Sequence, residues 1–247
     1  MLPNFGFQSS SLELITMILA VAATEFEMKP FAQFLAMAKD ISPQKDRALS
    51  CFTLITGVGP VETTLRLTRY LERRDPRIDK VLNFGVAGAY VCESLPWDNA
   101  ALLDLCLAEQ ESLGDFGVCF SDHIEALDEK LGGSTVFPLD QPMLHQAGKI
   151  LARHGMACRC GNFVTVSAAS ATRERGVMLA ARFQGLCENM EGAAVAKVCA
   201  EFSLPLLEVR AVSNLVEDRD LSRWRMAEAC TRAAEAAVLL VREMGGS

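Results

Sequence analysis

Carboxylates, one amide and two glycine turns are the groups in this 247-residue chain whose types and spacing could do chemistry. Glu25 and Glu27 follow an apolar run, Glu191 opens a stretch of small residues (Gly192, Ala193, Ala194), and Asn214 ends another apolar run. The glycine turns at 57–60 and 85–88 let a ligand approach the backbone closely. Such an inventory suits cleavage through a cationic, oxocarbenium-like transition state, in which one carboxylate activates water and others bind sugar hydroxyls. Residue types alone leave the substrate open. Serine-hydrolase chemistry does not fit, because the chain has no Gly-x-Ser-x-Gly and its only histidines are His123, His145 and His154.

The elements that must position these groups follow from periodicity. Residues 17–23 (MILAVAA) form an apolar run of strand length, after which Phe26, Phe31, Phe34 and Leu35 recur at helical spacing. Thr24 followed by Glu27 has the capping-box pattern, so helix-end electrostatics of ~0.3–1 kcal/mol would by itself account for either Glu25 or Glu27. Strand, glycine turn and helix then repeat: CFTLITGVG, VETTLRLTRYLERR and KVLNFGVAGAY. Residues 91–139 carry a blurred pattern with one clear strand, AALLDLCLAEQ. Beyond them lie a helix ending at Gly155, a strand over CGNFVTVSAASAT, a strand over LPLLEVRAVSN and a last helix over 224–244. This alternation predicts an α/β protein: a three-layer α/β/α sandwich with a central mixed, largely parallel sheet. It forms a single domain over residues 14–247, preceded by an extension at 1–13. The strand ends at 23–27, 57–60, 85–88 and 213–214 then share one cleft with Glu191.

Composition narrows the partners. Half the residues are hydrophobic and the net charge is −7, without a basic cluster interleaved with aromatics, so nucleic acid is not an expected partner. The apolar run at 15–23 is shorter than the ~20 residues of a membrane span. Nine scattered cysteines suit buried thiols in the cytoplasm. His154, Cys158 and Cys160 lack the second pair that a zinc site needs, so no metal is expected. The third glycine of a dinucleotide fingerprint begun at Gly57 and Gly59 would fall at Glu62, and no P-loop is present, so no cofactor is expected. Arg210, inside an apolar strand, requires a carboxylate partner such as Glu191 or Glu208.

With these residues in view, the chain resembles the nucleoside phosphorylase and nucleosidase superfamily, most closely its futalosine hydrolase branch. The resemblance rests on AVAATEFEM, TGVGPVET, NFGVAGAY, the NMEGAA run at 189–194, and VRAVSN followed by Asp218-Arg219-Asp220 and Trp224. It implies a small-molecule nucleoside as substrate and a homo-oligomer, for which the alanine-rich last helix offers a face. Glu27 matches the carboxylate that activates water, with Glu25 an alternative. Glu191 matches the group that holds the ribose hydroxyls, Met190 a residue packed on the ribose, and Ala87 and Gly88 the backbone edge beside base and sugar. Residues 170–172, Thr172 among them, are expected near the base, and Arg219 near the substrate's carboxylated tail.

Two departures from related enzymes bear on the substrate. In nucleosidases acting on adenine compounds an aspartate that protonates the leaving purine stands where this chain has Asn214, and an amide supplies no proton. Asn214 therefore implies a 6-oxopurine such as futalosine carries. Asn83 stands where similar hexameric phosphorylases have a phosphate-binding arginine, which implies water as nucleophile. A methylthioadenosine or S-adenosylhomocysteine nucleosidase, an aminodeoxyfutalosine nucleosidase, and a nucleoside-binding protein without catalysis remain the alternatives.

Overall fold

The structure is a computed structural model describing residues 16–41, 51–93 and 99–245, so the extension expected at 1–13 lies outside the described residues. In chain order its elements begin with β1 (Ile18–Ala22), α1 (Glu25–Ile41), β2 (Cys51–Ile55), α2 (Pro60–Leu71), β3 (Lys80–Tyr90) and β4 (Leu105–Leu113). A short hairpin of β5 (Val118–Cys119) and β6 (Ile124–Glu125) follows, then α3 (Glu129–Gly132), β7 (Val136–Pro138), α4 (Gln141–Arg153) and β8 (Cys158–Thr165). The chain finishes with α5 (Arg173–Phe183), β9 (Gly185–Asn189), α6 (Gly192–Glu201), β10 (Leu206–Val216), a 3-10 turn (Leu221–Arg223) and α7 (Met226–Gly245).

Local chemistry explains where the helices start. Thr24 and Glu27 form the expected capping box on α1: the Glu27 N–H donates to Thr24 Oγ1, and the Thr24 N–H donates back to Glu27 Oε2. Gly59, at φ 88°, turns the chain into α2, where Pro60 occupies the first turn. Asp140 caps α4 by accepting from the Met143 N–H, and Thr172 caps α5 by accepting from the Arg175 N–H.

The main sheet is mixed, with the order β10-β4-β8-β9-β3-β1-β2 and β7 attached to β4. The α/β class and the mixed sheet are as expected. The sheet is not the open layer of a simple sandwich, however, because β10 also pairs with β3 and closes β10, β4, β8, β9 and β3 into a ring. β3, eleven residues long, serves two neighbours in succession on one side, β1 and then β9, while β10 pairs with it along the other. Among the described residues β2, beyond β1, and β7, beside β4, stay outside the ring as edge strands.

Along β1 the alternation of the strand separates two cores. Ile18, Ala20 and Ala22 pack with α1, α4 and α7, while Leu19 and Val21 pack with α2 and α6. The alanine face of α7 (Ala229, Ala233, Ala236, Ala237) is buried in the first of these cores. Small side chains there let α7 lie close to α1 and the sheet, so this face does not serve as the intersubunit surface expected from its composition.

Candidate active site

The site grows from a gap in the strand pairing. β1 pairs with β3 only as far as Asn83, and β9 pairs with β3 only from Gly88, so residues 84–87 have no strand partner on that side. Their backbone groups still need partners. Val86 finds them in side chains: its N–H donates to Glu27 Oε1 at 3.1 Å, and its carbonyl accepts from Arg210 Nη1 at 3.1 Å. Glu27 Oε2 meanwhile accepts from the N–H and the hydroxyl of Thr24 at 3.0 and 2.9 Å. A Cβ on Gly85 would collide with Glu27 Oε1, so only glycine admits the carboxylate here. Glu25, two residues earlier on the helix, points away and is exposed.

Glu191 reaches the same place from the opposite element. Its Oε1 accepts from the Gly59 N–H at 3.1 Å and its Oε2 from Arg210 Nη1 at 3.4 Å. It is free to do so because Asn189 caps α6 in its place, with Oδ1 accepting from the Glu191 and Gly192 N–H groups at 2.9 and 2.7 Å. Asn189 is held by Glu111, whose other oxygen accepts from Thr165, and Thr165 in turn accepts from the Ala193 N–H. Arg210 Nε donates to Glu208 Oε1 at 2.8 Å. Both carboxylates anticipated for Arg210 are therefore engaged, and the ion pairs are buried.

One arginine thus stands among Glu27, Glu191 and Glu208, with Glu111 behind. Burial raises the Glu27 carboxyl above its ordinary value, opposed by the charge of Arg210. Burial raises Glu111 well above that value, and the charge of Glu208 raises it further. Burial alone would lower Arg210, but Glu208, Glu191 and Glu27 outweigh it and keep the guanidinium charged. Gly192 is the hinge of this packing, since a Cβ there would collide with Glu111 Oε1 and lie 2.7 Å from Glu208 Oε2.

A cavity of about 370 Å³ opens above this cluster. Glu27, Glu191, Ala87, Gly88, Met190, Asn214 and Arg219 all line it. A bulge between Val212 and Asn214 sets Asn214 opposite Gly88; without that extra residue, the period-2 alternation of β10 would hold Asn214 on the face of Arg210. Arg219 stacks over Trp224 at 4.9 Å on the cavity wall and has no ion pair among the described residues. Thr172 does not line the cavity: its hydroxyl is committed to the α5 cap, and Ser170 and Ala169 approach instead. Asn83 also lies away from the cavity, buried beside Glu208 in the strand register.

A family model for the phosphorylase superfamily matches residues 17–244, nearly the whole chain. The chain belongs to the phosphorylase superfamily. Within it, a futalosine hydrolase of Thermus thermophilus is 33% identical over 199 residues, covering 78% of this chain and 82% of its own. A futalosine hydrolase of Streptomyces coelicolor is 32% identical over 74% of this chain and 75% of its own. In fold, the chain matches the Helicobacter pylori 5′-methylthioadenosine/S-adenosylhomocysteine nucleosidase with a TM-score of 0.75 at 19% identity, covering 93% of this chain and 99% of that one.

For this superfamily member, sequence reasoning missed Asn189, Glu111, Glu188 and the strand β9 that carries two of them. The polar cluster Glu188-Asn189 ahead of the small-residue helix start was the available signal: a strand ending at a helix, where polar side chains gather.

The raised carboxyls make stability depend on pH. A group whose folded pKa is raised binds more protons folded than unfolded, so its contribution is present below the ordinary value of 4.5 and is lost as pH rises through the folded value. Urea unfolding across a pH series should show the wild type losing its advantage over Glu111→Gln by up to about 1.4 kcal/mol per pH unit between 4.5 and the folded value. Parallel curves for the two proteins would refute the assignment.

Proposed function

We propose that this chain hydrolyses the N-ribosidic bond of futalosine in the cytoplasm, releasing hypoxanthine and dehypoxanthine futalosine, a step of menaquinone biosynthesis. The catalytic domain spans residues 14–247 and acts as a homo-oligomer. The observation that carries the reading is the pairing of Glu27 and Glu191, converging from α1 and the start of α6 on one cavity, with an amide at Asn214 in place of a proton donor. Two bacterial relatives that bear the name of this activity support it.

In this mechanism Glu27 takes a proton from water as the water oxygen bonds to C1′ and the C1′–N9 electron pair leaves with the purine as its anion, which takes up a proton from solvent as Glu27 gives its own back to solvent. A carboxyl raised by burial is a stronger base than an exposed one. Glu191 receives the ribose hydroxyls, and its negative charge favours the cationic sugar that forms as the bond breaks. Arg210, tied to Glu208 and Glu191, keeps both carboxylates in place. Asn214 donates a hydrogen bond to the departing base, a role that suits hypoxanthine better than adenine, whose departure calls for a full proton. Water is the only co-reactant that this chemistry requires. The nine cysteines form no disulfide among the described residues, as suits a reducing compartment, and no helix among those residues is long and apolar enough to cross a membrane.

Glu27→Gln and Glu191→Gln should each lower futalosine turnover by about 10²–10⁴-fold, with wild-type activity indifferent to added phosphate. Near wild-type turnover in both variants refutes the mechanism. Arg219, a cavity-wall cation without an ion pair among the described residues, receives the carboxylated tail of futalosine in this reading. Arg219→Ala should raise the KM for futalosine and leave that for inosine unchanged; equal effects on the two argue against that contact. The homo-oligomer draws support from Val58, Val61 and Leu65, at 55%, 78% and 48% exposure, beside the cavity mouth on and before α2. Light scattering should return a multiple of the 26.9 kDa chain mass, and a monomer at micromolar concentration removes the oligomer from the proposal.

A further inference from the structure

One buried carboxylate in the cavity has no part in the mechanism above. Glu188, next to last in β9, is 6% exposed and faces the cavity from the side opposite Asn214. The two are tied to one point of the backbone. Gly88 pairs with Asn214 on β10 and with Glu188 on β9. A Cβ built on Gly88 would lie 3.0 Å from Asn214 Nδ2 and 3.6 Å from Glu188 Cγ. An amide and a carboxylate therefore flank the same glycine, three residues along β3 from Gly85, where Glu27 sits. At ~3.3 Å per residue, that is about 10 Å from the water-activating carboxylate, at the far end of a nucleoside held in the cavity.

Each group has a defined hydrogen-bonding sense. Ser170 turns both of its donors onto Glu188, N–H to Oε1 at 2.9 Å and Oγ to Oε2 at 2.7 Å. Ser170 Oγ itself accepts from Arg175 Nε at 3.2 Å, and Arg175 is anchored to Asp115. Burial raises the Glu188 carboxyl, and these donors oppose that by favouring the carboxylate form, which offers only acceptors to the cavity with its remaining lone pairs. Asn214 has the opposite sense. Ser213 Oγ donates to its Oδ1 at 2.8 Å, which orients the amide so that Nδ2 is the donor. One Nδ2 hydrogen goes to the Leu215 carbonyl, and the other is left for a ligand.

We infer that Glu188 sets the base specificity, accepting a hydrogen bond from the N1–H of a 6-oxopurine whose six-position oxygen is held by the Asn214 amide. A 6-oxopurine presents an acceptor next to a ring N–H, which complements a donor beside an acceptor. A 6-aminopurine carries a lone pair at N1, which would face the carboxylate with no proton between them. A site built around a ligand N–H rejects the analogue lacking it, because its own buried group is left unpaired. This inference rests on reading the cavity as a nucleoside site.

The test uses the full chain. In Glu188→Gln, kcat/KM for futalosine should fall about 10- to 100-fold relative to that for aminodeoxyfutalosine, its 6-amino counterpart, since the new amide can turn its NH2 toward N1. An equal fall for both, or no fall for either, overturns the inference. Calorimetric titration of the unaltered protein with hypoxanthine and 1-methylhypoxanthine tests it without a substitution. Methylation at N1 should weaken binding by at least tenfold; equal affinities, or no binding of either base, overturn it. Hydrolysis of futalosine with equal affinity for the two bases removes the role of Glu188 and leaves the proposed function standing. Discrimination between the bases without hydrolysis of any nucleoside does the reverse.

Discussion

The Arg210 guanidinium holds the site together. It donates to Glu208, to Glu191 and to the Val86 carbonyl, and so links β10 to the start of α6 and to the unpaired stretch of β3. A buried cation is costly unless paired, and buried carboxylates are costly for the same reason, so each side of this arrangement requires the other. The balance is lopsided, with one arginine among several acids, and burial pushes the surplus carboxyls toward their protonated forms. Glu27, at the cavity end of the cluster, inherits some of that basicity.

Backbone geometry is used twice throughout. The capping box that starts α1 also fixes the carboxylate of Glu27, so the structural and the chemical accounts of this residue are the same hydrogen bonds. Val86 lies where β3 has left β1 and has not yet met β9, and its unpaired amide and carbonyl become the seats of Glu27 and Arg210. Asn189 takes over the capping of α6, and so leaves Glu191 to the cavity. Glycines mark the points where these approaches are too close for any side chain, at Gly85 against Glu27 and at Gly192 against Glu111.

Much of this was legible because it is local. The apolar runs, the Thr24–Glu27 cap and the glycine turns depend on neighbours a few residues away, and Arg210 within an apolar strand announces its need for a carboxylate wherever the strand lies. Thr172 was misplaced for the opposite reason. The resemblance put residues 170–172 near the base, but Thr172 stands at a helix start where its hydroxyl has a nearer use. Asn83 was compared by its position in a motif, and its strand pairing beside Glu208 buries it away from the cavity.

The sequence by itself determined the types of the polar groups that meet at the cavity, the helices and strands that carry most of them, and that an amide stands at 214. Tertiary structure decided the rest: that the sheet closes through β3 and β10, that a one-residue bulge turns Asn214 toward Gly88, and that Glu188 and Glu111 belong to the site at all. The physical reason is range. Propensity and capping act within a turn or two of chain, whereas strand pairing joins Gly88 to residues about a hundred positions later and no local pattern encodes which strand will be its neighbour.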